Sequence, residues 1–129
     1  MSDGGVLLDS SAVLAVLFDE PGADRVEEVL PLAAISAVNL AEVVAKLHDR
    51  GVSDDDISAT VCDLDLSVLP FDEAIAVQSG RLRPLTRGLG MSLGDRACLA
   101  TAQQGQYLVL TADRAWISAD LGISVEIVR

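Results

Sequence analysis

The stretch "GGVLLDSSAVLAVL", Gly4 to Leu17, is apolar on both sides of a single carboxylate, Asp9, which Ser10 and Ser11 follow directly. Val6 to Leu8 lacks polar alternation, the pattern of a strand covered on both faces in a parallel sheet. After Asp9 the apolar spacing becomes helical. The acid therefore stands where a buried strand hands over to a helix.

The same change of period recurs along the chain. Further strands are expected at Ala33 to Ile35, Leu66 to Leu69, Tyr107 to Leu110 and Ser124 to Val128. Helices are expected near Ser11 to Phe18, Ala23 to Leu30, Ala37 to Arg50, Asp54 to Asp63, Glu73 to Leu85, Leu93 to Gln104 and Arg114 to Ala119. This alternation predicts an α/β fold, with a mostly parallel central sheet of about five strands and helices on both faces. At 129 residues, without repeat, low-complexity tract or linker, the chain reads as one domain, residues 1–129. The stretch "RPLTRGLGMSLGD", Arg83 to Asp95, reads as irregular because of its Pro and Gly content.

Half of the residues are apolar, enough for a proper core. No basic stretch precedes an apolar run at the N-terminus, and no apolar segment approaches the roughly 18 residues that cross a bilayer. A soluble, cytoplasmic protein that makes no use of a membrane is expected. Cys62 and Cys98 have no CxxC or metal-ligand spacing, lie in apolar helical stretches, and are expected as buried free thiols.

A net charge of -11 argues against nucleic-acid binding on average, since phosphate contacts need Lys or Arg. The average hides an asymmetry. Between residues 81 and 114, Arg81, Arg83, Arg87, Arg96 and Arg114 face only Asp95 and Asp113. The acidic remainder reads as a solvated surface or, in part, as a docking face for a basic partner.

In an open parallel sheet, ligands bind outside the carboxyl ends of the strands. Asp9 closes the first strand. Asp113 follows the strand Tyr107 to Leu110 by a short loop, and Asp95 opens the helix ahead of that strand. Glu42 lies in the second turn of the helix that begins after Ala33 to Ile35. Each acid alone has an ordinary reading: Asp9 and Asp113 as helix caps, Ser92-x-x-Asp95 as a capping box, Glu42 paired with Lys46 at i,i+4. Four acids on one edge repel one another unless a cation joins them. Hard cations such as Mg²⁺ or Mn²⁺ take oxygen ligands, whereas one His and no paired Cys disfavour Zn²⁺; His48 reads as a boundary residue. Such a site orients and helps deprotonate water and offsets charge on a phosphodiester, which is nuclease chemistry.

These residues resemble those of the PIN-domain ribonucleases, and specifically the VapC toxins of bacterial toxin–antitoxin pairs. The resemblance spans essentially the whole chain and rests on "LLDSSAVLAVLFDEPG", "SAVNLAEVVAKL", "MSLGDRACLATAQQ" and "VLTADRAW" in that order. It implies a three-layer PIN-like fold in which Asp9, Glu42, Asp95 and Asp113 match the family's catalytic quartet that binds Mg²⁺, with Mn²⁺ a substitute. Ser11 and Thr111 match its supporting hydroxyls. It also implies endonucleolytic cleavage of RNA, a homodimer, and a VapB-like antitoxin whose C-terminal arm lies over the active site, within a larger toxin–antitoxin assembly. The basic window then becomes a candidate track for the RNA backbone, with Arg81, Arg83, Arg87, Arg96, Arg114 and Lys46 as contacts. Trp116 is expected in the core or in dimer packing.

Other classes fit less well. A phosphorylated receiver domain would need a lysine near a late strand end, and Lys46 is the only lysine. A haloacid-type phosphatase would need an Asp where Ser11 stands, and an adhesion-type D-x-S-x-S site fails at Val13. "GLGMSLG" follows no strand, so a dinucleotide fold is weak. The serious alternative is a catalytically silent PIN-like module that binds RNA or protein.

Overall fold

Leu7 and Leu8 in β1 (Val6–Leu8) are fully enclosed, because the strand is paired in parallel on both sides and covered on both faces. Its neighbours are β2 (Ala33–Ser36) and β4 (Leu108–Thr111). β3 (Ser67–Leu69) and β5 (Val125–Ile127) form the edges of a five-stranded, all-parallel sheet of order β3-β2-β1-β4-β5. The computed structural model describes residues 5–118 and 121–129. The expected strands are all present, with ends moved by a residue or so.

Side-chain alternation divides the core into two layers. Leu8, Ile35 and Leu110 point to one face, where they pack with Ala12 and Val13 of α1 (Ser10–Leu17), Val26 and Val29 of α2 (Ala23–Val29), Val43 and Leu47 of α3 (Ala37–Asp49), and Ile57 of α4 (Asp54–Leu64). Leu7, Ala34 and Val109 point to the other, against α5 (Glu73–Arg81) and α7 (Leu93–Gly105). Trp116 is 1% exposed in that second layer, the core alternative of the two expected for it.

Three expectations need correction. Arg83 to Asp95 is largely helical: α6 (Arg83–Thr86) and a 3₁₀ turn (Arg87–Leu89) precede α7. Pro84 is tolerated there because it falls in the first turn, where its missing N–H would have no helical partner. Gly90 then ends the turn in the left-handed region. Cys62 is exposed while Cys98 is buried. α4 lies at the rim and turns Ile57, Val61 and Leu64 inward, and Cys62 stands about 100° around the helix from Val61. The segment after Asp113 is a 3₁₀ turn over Arg114–Ser118 rather than an α-helix, and Ala119 lies outside the described residues.

Candidate metal centre

Strand order reverses at β1, so the crevice between β1 and β4 opens at the carboxyl edge, where ligands bind in sheets of this kind. Asp9 sits at its base, only 3% exposed. Its backbone is still extended, with φ -82° and ψ 175°, so it continues the alternation and points to the α7 side. One oxygen, Oδ1, accepts from the backbone N–H of Ala12 at 2.8 Å and from the Ser11 hydroxyl at 2.7 Å. The other, Oδ2, accepts from Thr111 at 2.5 Å. Ser11 and Thr111 thus hold Asp9 between them, and both are themselves fixed: Ala112 N–H donates to Ser11 Oγ at 2.9 Å and Asp113 N–H to Thr111 Oγ1 at 3.0 Å.

Asp95 is held by a full capping box at the start of α7. Its N–H donates to Ser92 Oγ at 3.2 Å, and its Oδ2 accepts from Ser92 N–H at 3.0 Å. Glu42 reaches the same turn from α3. Its Oε1 accepts from Asn39 Nδ2 at 2.8 Å, and that same amide donates to the carbonyl of Gly94 at 3.2 Å. Asp113 is exposed, and its Oδ1 accepts from Ala115 N–H at 2.9 Å. The capping readings of Asp9, Asp95 and Asp113 are therefore all realised. The ion pair between Glu42 and Lys46 is not, because Asn39 takes Glu42 inward while Lys46 stays exposed. Among the described residues the ion pairs are Arg25 with Glu126 at 2.7 Å and His48 with Asp54 at 3.1 Å.

Energetics decide whether capping suffices. Burial raises the Asp9 carboxyl to about 6, against hydrogen bonds from Thr111, Ala12 and Ser11 that favour the charge, and the nearby Asp95 adds to the rise. Against an ordinary 3.8, that gap costs on the order of 3 kcal/mol at neutral pH, whereas an N-cap contributes about 1 kcal/mol. Serine would cap without that cost. Burial likewise raises Asp95, opposed by Ser92 and reinforced by the charges of Asp113 and Glu42. The Cys98 thiol beneath is pushed well up by burial, with the charges of Asp9, Asp95 and Glu42 adding.

The donor set fits a hard cation. Asp95 Oδ1, Glu42 Oε2 and Asp113 Oδ2 accept no hydrogen bond among the described residues. Among the described residues, no group of three or more acidic, imidazole or thiol side chains is arranged to hold a metal ion. Mg²⁺ needs no such group, since it is usually held by one or two carboxylates with several waters retained. A divalent charge also reverses the electrostatic cost at Asp9.

The arginines divide. Arg81, Arg83, Arg87 and Arg114 are exposed, and a cleft of about 450 Å³ beside the site is lined by Ala112, Asp113, Arg114 and Arg129. Arg96 turns away from the edge, donating from Nη1 to the carbonyl of Ser79 at 3.2 Å, with Nε buried. Asn39 and Gly94 went unrecognised in the sequence. The i,i+3 spacing of Asn39 and Glu42 is a usable signal; the meeting with Gly94, 55 residues away, is a tertiary contact that no local pattern carries.

A family model described as "PIN domain" matches residues 6–121. No curated protein matches the chain. Among solved structures, the chain is similar to a toxin–antitoxin complex from Klebsiella pneumoniae, at 23% identity over 92% of this chain and 94% of the other, with a TM-score of 0.70. It is similar to VapBC-5, a member of the VapBC family of toxin–antitoxin systems from Mycobacterium tuberculosis, at 25% identity over 98% of each chain and a TM-score of 0.62. VapC20 of the same organism, a Sarcin-Ricin loop cleaving toxin, is 14% identical over 89% of this chain and 95% of its own, with a TM-score of 0.72.

Proposed function

Since the chain belongs to the PIN domain family, we propose that it is a Mg²⁺-dependent endoribonuclease and the toxin of a VapBC-type, type II toxin–antitoxin pair. The observation that carries the reading is Asp9: a buried carboxylate held by two hydroxyls at the carboxyl edge, at an electrostatic cost that capping does not offset. The similarity in fold to toxin–antitoxin proteins supports the toxin role.

Asp9, Glu42, Asp95 and Asp113 hold the ion, with Mn²⁺ able to replace Mg²⁺. When bound, it supplies a Lewis acid for the scissile phosphate and a lowered pKa for water. Thr111 and Ser11 keep the Asp9 oxygens oriented, and Ser92 does the same for Asp95. Asp113 is exposed, and its Oδ2, which accepts no hydrogen bond among the described residues, is open to the ion, while the acidic edge as a whole orients the attacking water and helps deprotonate it. Arg81, Arg83, Arg87 and Arg114 follow the RNA backbone beside these acids; Lys46 and the tethered Arg96 contribute less. The protein acts in the cytoplasm as a homodimer, and a VapB-like antitoxin with a basic C-terminal arm covers the acidic edge within a larger assembly.

The test is cleavage of a mixed RNA pool by purified protein with Mg²⁺ or with EDTA, beside Asp9→Asn and Asp95→Asn. Cleavage should need the ion and vanish in both variants while circular dichroism stays unchanged. Full activity in both variants would reject the site, and no cleavage by the wild type would favour a silent binding module. Expression of the protein alone should arrest growth, and a co-expressed antitoxin should relieve it. Harmless expression of an active nuclease would remove the toxin role and leave the chemistry.

A further inference from the structure

Asn39 has the setting of a working part rather than of surface decoration. It is 1% exposed, the third residue of α3, and both hydrogens of its amide are committed, one to Glu42 Oε1 and one to the Gly94 carbonyl. Its Oδ1 is buried with no hydrogen-bond partner among the described residues, a cost accepted to keep the amide in place. Gly94 makes the complementary contribution through what it lacks. A Cβ built there would lie 2.6 Å from Glu42 Oε1 and closer still to Oε2, inside the volume the carboxylate occupies. Gly94 has no left-handed backbone to explain a glycine, so the space itself is the reason.

We propose that Asn39 and Gly94 form a lock that positions the Glu42 carboxylate: Gly94 leaves the room, and Asn39 ties α3 to the first turn of α7 and aims Glu42 across that room. The consequence for ion binding rests on the reading of the edge as a Mg²⁺ site. The lock explains why Glu42, on a long flexible side chain, is held at the edge instead of pairing with Lys46 one turn further along. It also places the carboxylate at the N-terminal turn of a 13-residue helix, whose unpaired N–H groups favour negative charge. Both are positioning residues, acting through Glu42.

The experiment is calorimetric titration of Mn²⁺ into wild type, Asn39→Ala, Gly94→Ala, Glu42→Ala and the double variant Asn39→Ala/Glu42→Ala, each checked by circular dichroism. Partners of metal-binding carboxylates typically carry about a tenfold or greater effect on affinity. Asn39→Ala and Gly94→Ala should each weaken Mn²⁺ binding about tenfold, and Asn39→Ala should weaken it no further once Glu42 is gone. Gly94→Ala is expected to fold, because what the new methyl meets is the end of a movable side chain. It keeps the test open if Asn39→Ala does not fold. Wild-type affinity in both single variants overturns the lock, as does an equal loss from Asn39→Ala with and without Glu42. If the wild type binds no Mn²⁺, it is the metal reading that fails. The lock is then judged on melting temperature without metal: a smaller drop from Asn39→Ala in the Glu42→Ala background supports it, and equal drops reject it.

Discussion

Asp9 carries two duties whose energies have opposite sign, since capping α1 stabilises the fold while keeping a charge 97% out of water destabilises it. A carboxyl raised from 3.8 to about 6 takes up its proton more readily in the folded chain than in the unfolded one. Without metal, its cost is therefore absent below about pH 4 and fully present above about pH 6, and stability falls as pH rises through that window. Measured by chemical denaturation in EDTA, wild type should lose on the order of 3 kcal/mol between pH 4 and pH 7 relative to Asp9→Asn, which cannot ionise. Equal pH profiles would mean that Asp9 is not the group in question. The position of Asp9 was legible because a strand, an acid and a helix follow in immediate succession. Its hydroxyl partners were not legible from spacing: Thr111 meets it only because β1 and β4 pair in register at Leu8 and Leu110, about one hundred residues apart in sequence. The resemblance to known nucleases supplied what periodicity lacked.

At the level of elements, strand and helix alternation carried the sheet, because parallel strands buried on both faces leave a strong apolar signal. Its weakest point was Arg83 to Asp95, where Pro and Gly read as irregular although each sits at a helix start or a turn end that suits it. The geometry of α5 and α7 separates arginines that look alike in sequence. Arg96 ties the first turn of α7 to Ser79 in α5, whereas Arg87 is exposed on the link between them. Arg87→Glu should leave the melting temperature near that of wild type and lower the salt slope of RNA binding by about one or more. Arg96→Ala should do the reverse, lowering thermal stability through loss of a half-buried side chain and changing the slope little. A slope unchanged by Arg87→Glu would remove that residue from the RNA track.

Across the whole molecule, acid excess adds to a local repulsion: a chain of net charge -11 brings Asp9, Glu42, Asp95 and Asp113 within electrostatic reach of one another. A cation that binds the folded state alone relieves self-repulsion of that kind and stabilises the fold by mass action. A divalent cation should then stabilise the protein by about 1.4 kcal/mol at ten times its dissociation constant and about 2.7 kcal/mol at a hundred times. For a domain of this size the rise in melting temperature is very roughly 4 to 10 °C. General screening would also raise it, so a monovalent salt at equal ionic strength and Ca²⁺ serve as controls. The two explanations part at Asp9→Asn, which barely alters net charge but alters the edge itself. If the edge binds the ion, the variant melts higher than wild type without metal, because a buried repulsive charge is gone, and it gains less from Mg²⁺ or Mn²⁺, because a ligand is gone. Screening predicts the same gain in both proteins. A variant that melts lower without metal and responds like wild type would mean that Asp9 serves α1 alone, and the four acids would then need another explanation.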